Sequence, residues 1–199
     1  SGNYPQEVAV YYNTGSGIAT SANQSLSGNA IDATWGAFTS NDNYEDLAVT
    51  SGSEVRIYPN MNNGNVGTTP YTFSVPARRV ILAQMDGSIF DPPTTNKLDL
   101  VSITGNGAQT DNLVSIRLNN GSNGFGTAQE IDMGDEYIYS VAVGDINNDN
   151  FNDVIVAMSG DVRLYLNDGA GEIETTPRWS ITSGVPSNPQ VLIGDLGNT

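Results

Sequence analysis

Asp161-Val162-Arg163-Leu164-Tyr165-Leu166-Asn167 reads as an acidic residue, a short alternating strand and an Asn that runs into the Gly-rich turn Asp168-Gly169-Ala170-Gly171. The same pattern stands at Glu7-Val8-Ala9-Val10-Tyr11-Tyr12-Asn13 and at Glu54-Val55-Arg56-Ile57-Tyr58-Pro59-Asn60. It recurs without the leading acid at Leu113-Val114-Ser115-Ile116-Arg117-Leu118-Asn119. The Asn residues are 47, 59 and 48 positions apart. A period near 50 residues built from strand-like runs predicts an array of like β units, the blades of a propeller.

Each unit carries a second landmark, an apolar strand followed by a loop that closes on Asp and enters another apolar strand. The clearest copy runs from Val141 to Ala157. Looser copies run from Thr34 to Val49 and from Ile81 to Ser102, and a further one begins at Val191-Leu192-Ile193-Gly194-Asp195. The order of landmarks predicts an all-β chain of four-stranded antiparallel blades, about three complete blades and two half-blades. The single array 1–199 divides into the later half of a blade at 1–30, blades at 31–77, 78–135 and 138–183, and the first strand of a further blade at 189–199. Half-blades expose strand edges, which pair readily with another chain. The array is expected to be part of a longer propeller, or a small one completed by closure or assembly.

Composition narrows the function. Seven basic residues against 22 acidic ones give a net charge of −15, so a phosphate backbone or an anionic bilayer is repelled and nucleic acid is not an expected partner. The chain has no Cys and no His, which removes disulfides, thiolate metal sites and the Ser-His-Asp triad together. No apolar run is long enough to span a bilayer, and membrane insertion is not expected. The 22 Gly and 9 Pro residues punctuate the strand-like runs as turns.

The loop Asp145-Ile146-Asn147-Asn148-Asp149-Asn150-Phe151-Asn152-Asp153 carries side-chain oxygens at its positions 1, 3, 5 and 9. Hard cations that take six to eight oxygens suit such a wrap, with a main-chain carbonyl near Phe151 at position 7. Three carboxylates and an amide favour Ca²⁺ over metals that prefer nitrogen and sulfur. An EF-hand would need Gly and Glu where Asn150 and Val156 stand, and helices where the flanks read as strands. Without an ion the carboxylates repel by about 1 to 4 kcal/mol per pair, depending on the local dielectric. The alternative is a solvated Asp/Asn turn held by local hydrogen bonds. Other copies are degraded: Ala37 replaces the first Asp of the first loop, leaving Ser40, Asp42 and Asp46. The second loop keeps Gln84, Asp86, Ser88 and Asp99, and the fourth begins at Asp195.

These residues, above all Val141 to Ala157 followed by Asp161 to Gly171, resemble the FG-GAP or VCBS repeats of integrin α-subunit propellers and of many secreted proteins. The resemblance implies four-stranded blades around an axis, with calcium between the first and second strands. It implies Asp145, Asn147, Asp149, the carbonyl of Phe151 and Asp153 as ligands. The Phe-Gly pair of the repeat survives only as Phe125-Gly126, with Gly171-Glu172-Ile173 in the next unit.

The expected function is a calcium-stabilised, secreted or cell-surface binding and adhesion module that recognises a protein or glycan through blade-connecting loops. Phe90 to Asn96 and Thr175 to Pro189 are the candidate loops. The alternative is a structural protein that forms fibres, coats or other homo-oligomers through its half-blades. Lectin-like binding or lyase chemistry ranks below both, and no catalytic residues are assigned. Trp35 is expected in the core and Trp179 on an exposed platform. Alternation along strands accounts for Arg56, Arg163 and the displaced Arg117. Asn23-Gln24-Ser25 and Asn120-Gly121-Ser122 match the glycosylation sequon.

Overall fold

Short runs of Val, Ile, Leu and Tyr bounded by Gly, Asn and Ser turns fold into antiparallel meanders, with no helix among the described residues. The computed structural model describes residues 7–13, 15–39, 44–61, 65–87, 97–105, 112–121 and 124–194. Strands β1 (Glu7–Val10) and β2 (Gln24–Ser27) form a two-stranded sheet. Three four-stranded sheets follow, each in simple chain order. The first holds β3 (Asp32–Gly36), β4 (Asp46–Thr50), β5 (Val55–Tyr58) and β6 (Tyr71–Phe73). The second holds β7 (Arg79–Ala83), β8 (Asp99–Ile103), β9 (Leu113–Asn119) and β10 (Phe125–Asp132). The third holds β11 (Ile138–Gly144), β12 (Asp153–Met158), β13 (Asp161–Tyr165) and β14 (Trp179–Ile181). This is the blade architecture of a β-propeller.

The core lies between the sheets. Val101, Ile103, Val114 and Ile116 of the second sheet pack with Val141, Val154 and Val156 of the third. Its opposite face, with Val80, Leu82 and Leu100, packs on Ala48, Val55 and Ile57 of the first. Strands β4 and β8 are buried along their whole length because sheets cover both their faces. At the seam between first and second sheets, Phe38, Phe73 and Phe125 cluster with centroids 4.9 to 5.7 Å apart. At the other two seams a Gln on the outermost strand imitates a strand partner. Gln24 donates to the carbonyl of Val66 and accepts from its N–H, and Gln129 does the same for Ile173.

A buried Asp at the start of each second strand ties every unit together. One oxygen of Asp46 accepts the N–H groups of Phe38 and Thr39 at 2.9 and 2.8 Å, while the other accepts that of Asn60 at 2.8 Å. Asp99 takes Met85 and Asn119 at 2.7 Å, and Asp153 takes Ile146 and Asn167 at 3.0 Å. All three Asp side chains are fully buried. The repeated Asn answers with its side chain. Asn119 donates to the carbonyls of Leu98 and, in the preceding unit, Phe38; Asn167 donates to those of Asn152 and, in the preceding unit, Met85. One Asp–Asn brace therefore joins the first strand, second strand and third strand of a unit, and in the second and third units its Asn reaches the unit before.

The ends of this brace system explain two departures from expectation. Trp35, expected in the core, is 44% exposed. Its counterpart Leu82 lies against Gly36 so closely that a Cβ there would stand 2.6 Å from the Leu82 Cβ. No such first strand precedes Trp35 among the described residues, so its ring has nothing to cover it. Likewise Phe38 and Met85 are fully buried while the equivalent Ile146 is 39% exposed. The strand expected at 189–199 is not formed over 189–194, and 195–199 lie outside the described residues. Ile193 nonetheless packs on Gly144 as Leu82 packs on Gly36. It holds a first-strand position, but no second strand is paired with it among the described residues.

Replacing Asn167 by Ala removes two buried donors and leaves the carbonyls of Met85 and Asn152 without them. We expect a loss of about 2 to 4 kcal/mol in urea unfolding at constant m-value. A loss below about 0.5 kcal/mol would show that the brace carries little stability.

Candidate functional site

The loop between β11 and β12 is shaped by its own polar side chains. Asn148 and Asn150 adopt left-handed backbone with φ of 63° and 73°, which Asn tolerates better than most residues. Those turns curl the chain around Asp145, whose two oxygens accept the N–H groups of Asp149 and Asn150 at 3.2 and 2.9 Å. The Asn147 oxygen also accepts the Asp149 N–H at 3.0 Å, and its amide donates to Asp149 at 2.7 Å. Asp149 in turn accepts the N–H of Phe151 at 2.9 Å. The Phe151 ring lies over Gly169, where a Cβ would come within 2.6 Å of it and where φ is +84°. That contact fixes the backbone of position 7 against the turn after β13.

Asp145, Asn147, Asp149, Phe151 and Asp153 thus sit on one curled loop, the exposed Asn147 and Asp149 at its rim and Asp153 at its buried base. Among the described residues, no group of three or more His, Cys, Asp or Glu side chains is gathered to hold a metal by itself. The donor set is instead mixed, with carboxylates, one amide and a main-chain carbonyl, all oxygen, as a hard cation requires. Burial pushes the Asp153 carboxyl above its ordinary value; the N–H groups of Asn167 and Ile146 oppose this and the negative charge of Asp149 adds to it. Asp149 and Asp153 therefore feel each other's charge across the loop, a repulsion that a cation relieves.

The degraded loops differ in kind. Gln84 stands where Asp145 stands, and its amide donates to Asp86 at 3.1 Å, a neutral substitute for an ion. In the first loop Ala37 contributes no side-chain oxygen, while Asp46 accepts backbone N–H groups just as Asp153 does. Ser40, Asp42, Ser88, the segment Phe90 to Asn96, Ser122 and Asp195 lie outside the described residues. Thr175 to Pro189 runs over the surface around β14, and Trp179 on that edge strand is 55% exposed.

Sequence reasoning took Asp153 as a ligand and missed its equivalence to Asp46 and Asp99 as a brace. The signal was present: the closing Asp persists in loops that have lost the first carboxylate, so a metal alone does not account for it. It also assigned Arg117 to alternation, but Arg56 and Arg163 have ion-pair partners in Glu54, Asp161 and Glu136, whereas Arg117 has none among the described residues.

A family model described as an FG-GAP-like repeat matches residues 95–156 and again 145–199, together just over half of the chain. No curated protein matches it. Among solved structures, BBS1N in complex with ARL6DN, soaked with lead, is 18% identical over 85% of this chain and 49% of its own, with a TM-score of 0.51. The Photorhabdus luminescens Tc holotoxin pore is 19% identical over 82% of this chain and 9% of its own, with a TM-score of 0.44. The chain spans about half the length of the first of these structures, and that likeness concerns the fold alone.

Burial pushes the Asp99 carboxyl up to about 6 from 3.8, against the pull of the Asn119 and Met85 N–H groups. A carboxyl raised on folding stabilises the fold below its unfolded value, and this contribution is lost as pH rises through its folded value. Stability should therefore fall between about pH 4 and pH 7, by up to roughly 3 kcal/mol from this group. Asp99→Asn should flatten that part of the urea-stability profile; an unchanged profile would assign the slope to other groups.

Proposed function

This chain belongs to the FG-GAP-like repeat family, and from that premise we propose that it is a propeller-type binding module, stabilised by calcium and acting outside the cell. The loop 145–153 carries the calcium reading. Its oxygen-only donors, its curled backbone and the mutual repulsion of Asp149 and Asp153 suit a cation held by Asp145, Asn147, Asp149, the Phe151 carbonyl and Asp153. Bound calcium would neutralise the carboxylates and stiffen the rim of the third sheet. The ligand is a protein or glycan met by surface loops, among which Thr175 to Pro189 presents the exposed Trp179. The module acts in this reading by binding, not catalysis: the chain has no His or Cys, and its closest acidic cluster, the loop 145–153, is read as a metal site.

A second reading is favoured by two exposed side chains at the ends of the described array. Trp35 and Ile146 are exposed where the inner seams bury their equivalents Leu82, Phe38 and Met85, although the β1–β2 sheet and Ile193 cover other parts of those faces. A second copy covering them would give a ring or a filament according to whether the rotation closes.

Two measurements separate these readings. Calcium titration by calorimetry should show one site, with thermal stabilisation of about 2.7 kcal/mol at a hundredfold excess over Kd. Asp149→Ala should weaken that site at least tenfold, and an unchanged titration would remove the loop as its location. Light scattering in calcium and in chelator reports assembly: a calcium-dependent multimer supports the structural reading, and a monomer in both conditions supports the binding module alone.

A further inference from the structure

The seam between the first and second four-stranded sheets holds a cavity of about 830 Å³. The corresponding seam between the β1–β2 sheet and the first four-stranded sheet has only about 10 Å³. Counting back from the repeated Asn locates the cause. Four and two residues before Asn60 stand Arg56 and Tyr58, which line the small space, and the same places before Asn167 hold Arg163 and Tyr165. Before Asn119 they hold Ser115 and Arg117. The second unit has lost the filling guanidinium and the ring, and a guanidinium has replaced the ring. It has also lost the acid that pairs the Arg elsewhere, since Leu113 occupies the place of Glu54 and Asp161.

This exchange leaves polar groups unanswered. Nε of Arg117 and Nε of Arg78 are buried without acceptors, and so is the hydroxyl of Ser115, which is 1% exposed. Arg78 is held in place by Tyr137, whose ring lies 4.3 Å beneath its guanidinium and whose hydroxyl accepts from one terminal nitrogen at 3.2 Å, and by the carbonyl of Ile138, which accepts from the other. Two of the chain's seven basic residues thus face one cavity in a molecule of net charge −15. Glu130 also lines it, beyond ion-pair distance of either Arg among the described residues. The remaining wall is largely apolar, with Val75, Pro76, Ala77 and Leu113. Residues 106–111 lie outside the described residues and are not counted in the site.

We propose that this inter-sheet cavity binds a small organic acid, its carboxylate held by the unpaired guanidinium of Arg117 in the positive field of the neighbouring Arg78, its apolar body against Val75, Pro76 and Leu113. The site deepens the binding-module reading but shares no residue with the calcium loop, so it is tested in chelator and in calcium separately.

The test follows amide shifts of Ala77, Ser115 and Arg117 during titration with phenylacetate, with phenylacetamide as the uncharged control. Saturable shifts in the millimolar range are expected for the acid, and at least tenfold weaker binding for the amide. Arg117→Met should abolish the response and keep the thermal midpoint, because its guanidinium has no partner to lose. As a second variant, Leu113→Glu, Ser115→Arg and Arg117→Tyr together restore the pattern of the other units and should fill the cavity, fold and not bind. Equal response to acid and amide, or no saturable shift at about 20 mM acid in the folded wild-type protein, would overturn the proposal. A peptide ending in Phe, run in parallel, separates a free acid from a chain-terminal carboxylate as its source: binding of the free acid alone supports the small-acid assignment, and binding of the peptide alone overturns it.

Discussion

A carboxylate buried at the first residue of each second strand holds this array together. Removing an anion from water is costly, and main-chain N–H groups from two other segments offset that cost at Asp46, Asp99 and Asp153, only in part at Asp99 and Asp153, whose carboxyls stay raised. Each carboxylate thereby fixes where the first strand turns away and where the third strand ends. The repeated Asn completes the arrangement, because the backbone N–H that reaches the Asp orients an amide towards carbonyls of its own unit and of the one before. In the later units the same Asn pins the following turn, accepting the N–H two residues on at Gly121 and Gly169. Local turn, blade and seam thus share one pair of side chains.

The calcium loop depends on that brace. Asp153 is both the base of the loop and the residue that anchors β12 to the turn after β13, so the loop's lower rim is built before any ion arrives. The upper rim, Asn147 and Asp149, is exposed and held only by hydrogen bonds within the loop. Metal and fold are therefore coupled unequally: an ion would order the rim, whereas the base belongs to the core. The first two units illustrate the consequence, for they keep the base and carry Ala37 or Gln84 in the place of Asp145.

Much of this was legible in the sequence, and the limits have physical causes. The spacing of Asn13, Asn60, Asn119 and Asn167 predicted the array of four-stranded blades, because repeated units must bury like faces against one another. What the Asn side chains do was not legible, since their partners in the preceding unit lie 81 and 82 residues away. Trp35 was misplaced because its strand is apolar, yet burial of a first strand depends on a neighbouring unit, not on its own pattern. Arg117 looked like ordinary alternation. Only comparison with the paired Arg56 and Arg163, and the cavity left by Ser115, gives it a different meaning.

The Asp–Asn brace belongs to the fold and not to a bound ion. Residue-resolved hydrogen exchange in excess chelator tests it directly through the amides of Phe38, Asn60, Met85, Asn119, Ile146 and Asn167. These should be protected to the level of the central strands β4, β8 and β12, while Asp149 and Asn150 exchange faster and slow only when calcium is added. Rapid exchange of the brace amides in chelator, with protection returning in calcium, would contradict the account and make the ion the organiser of the blade.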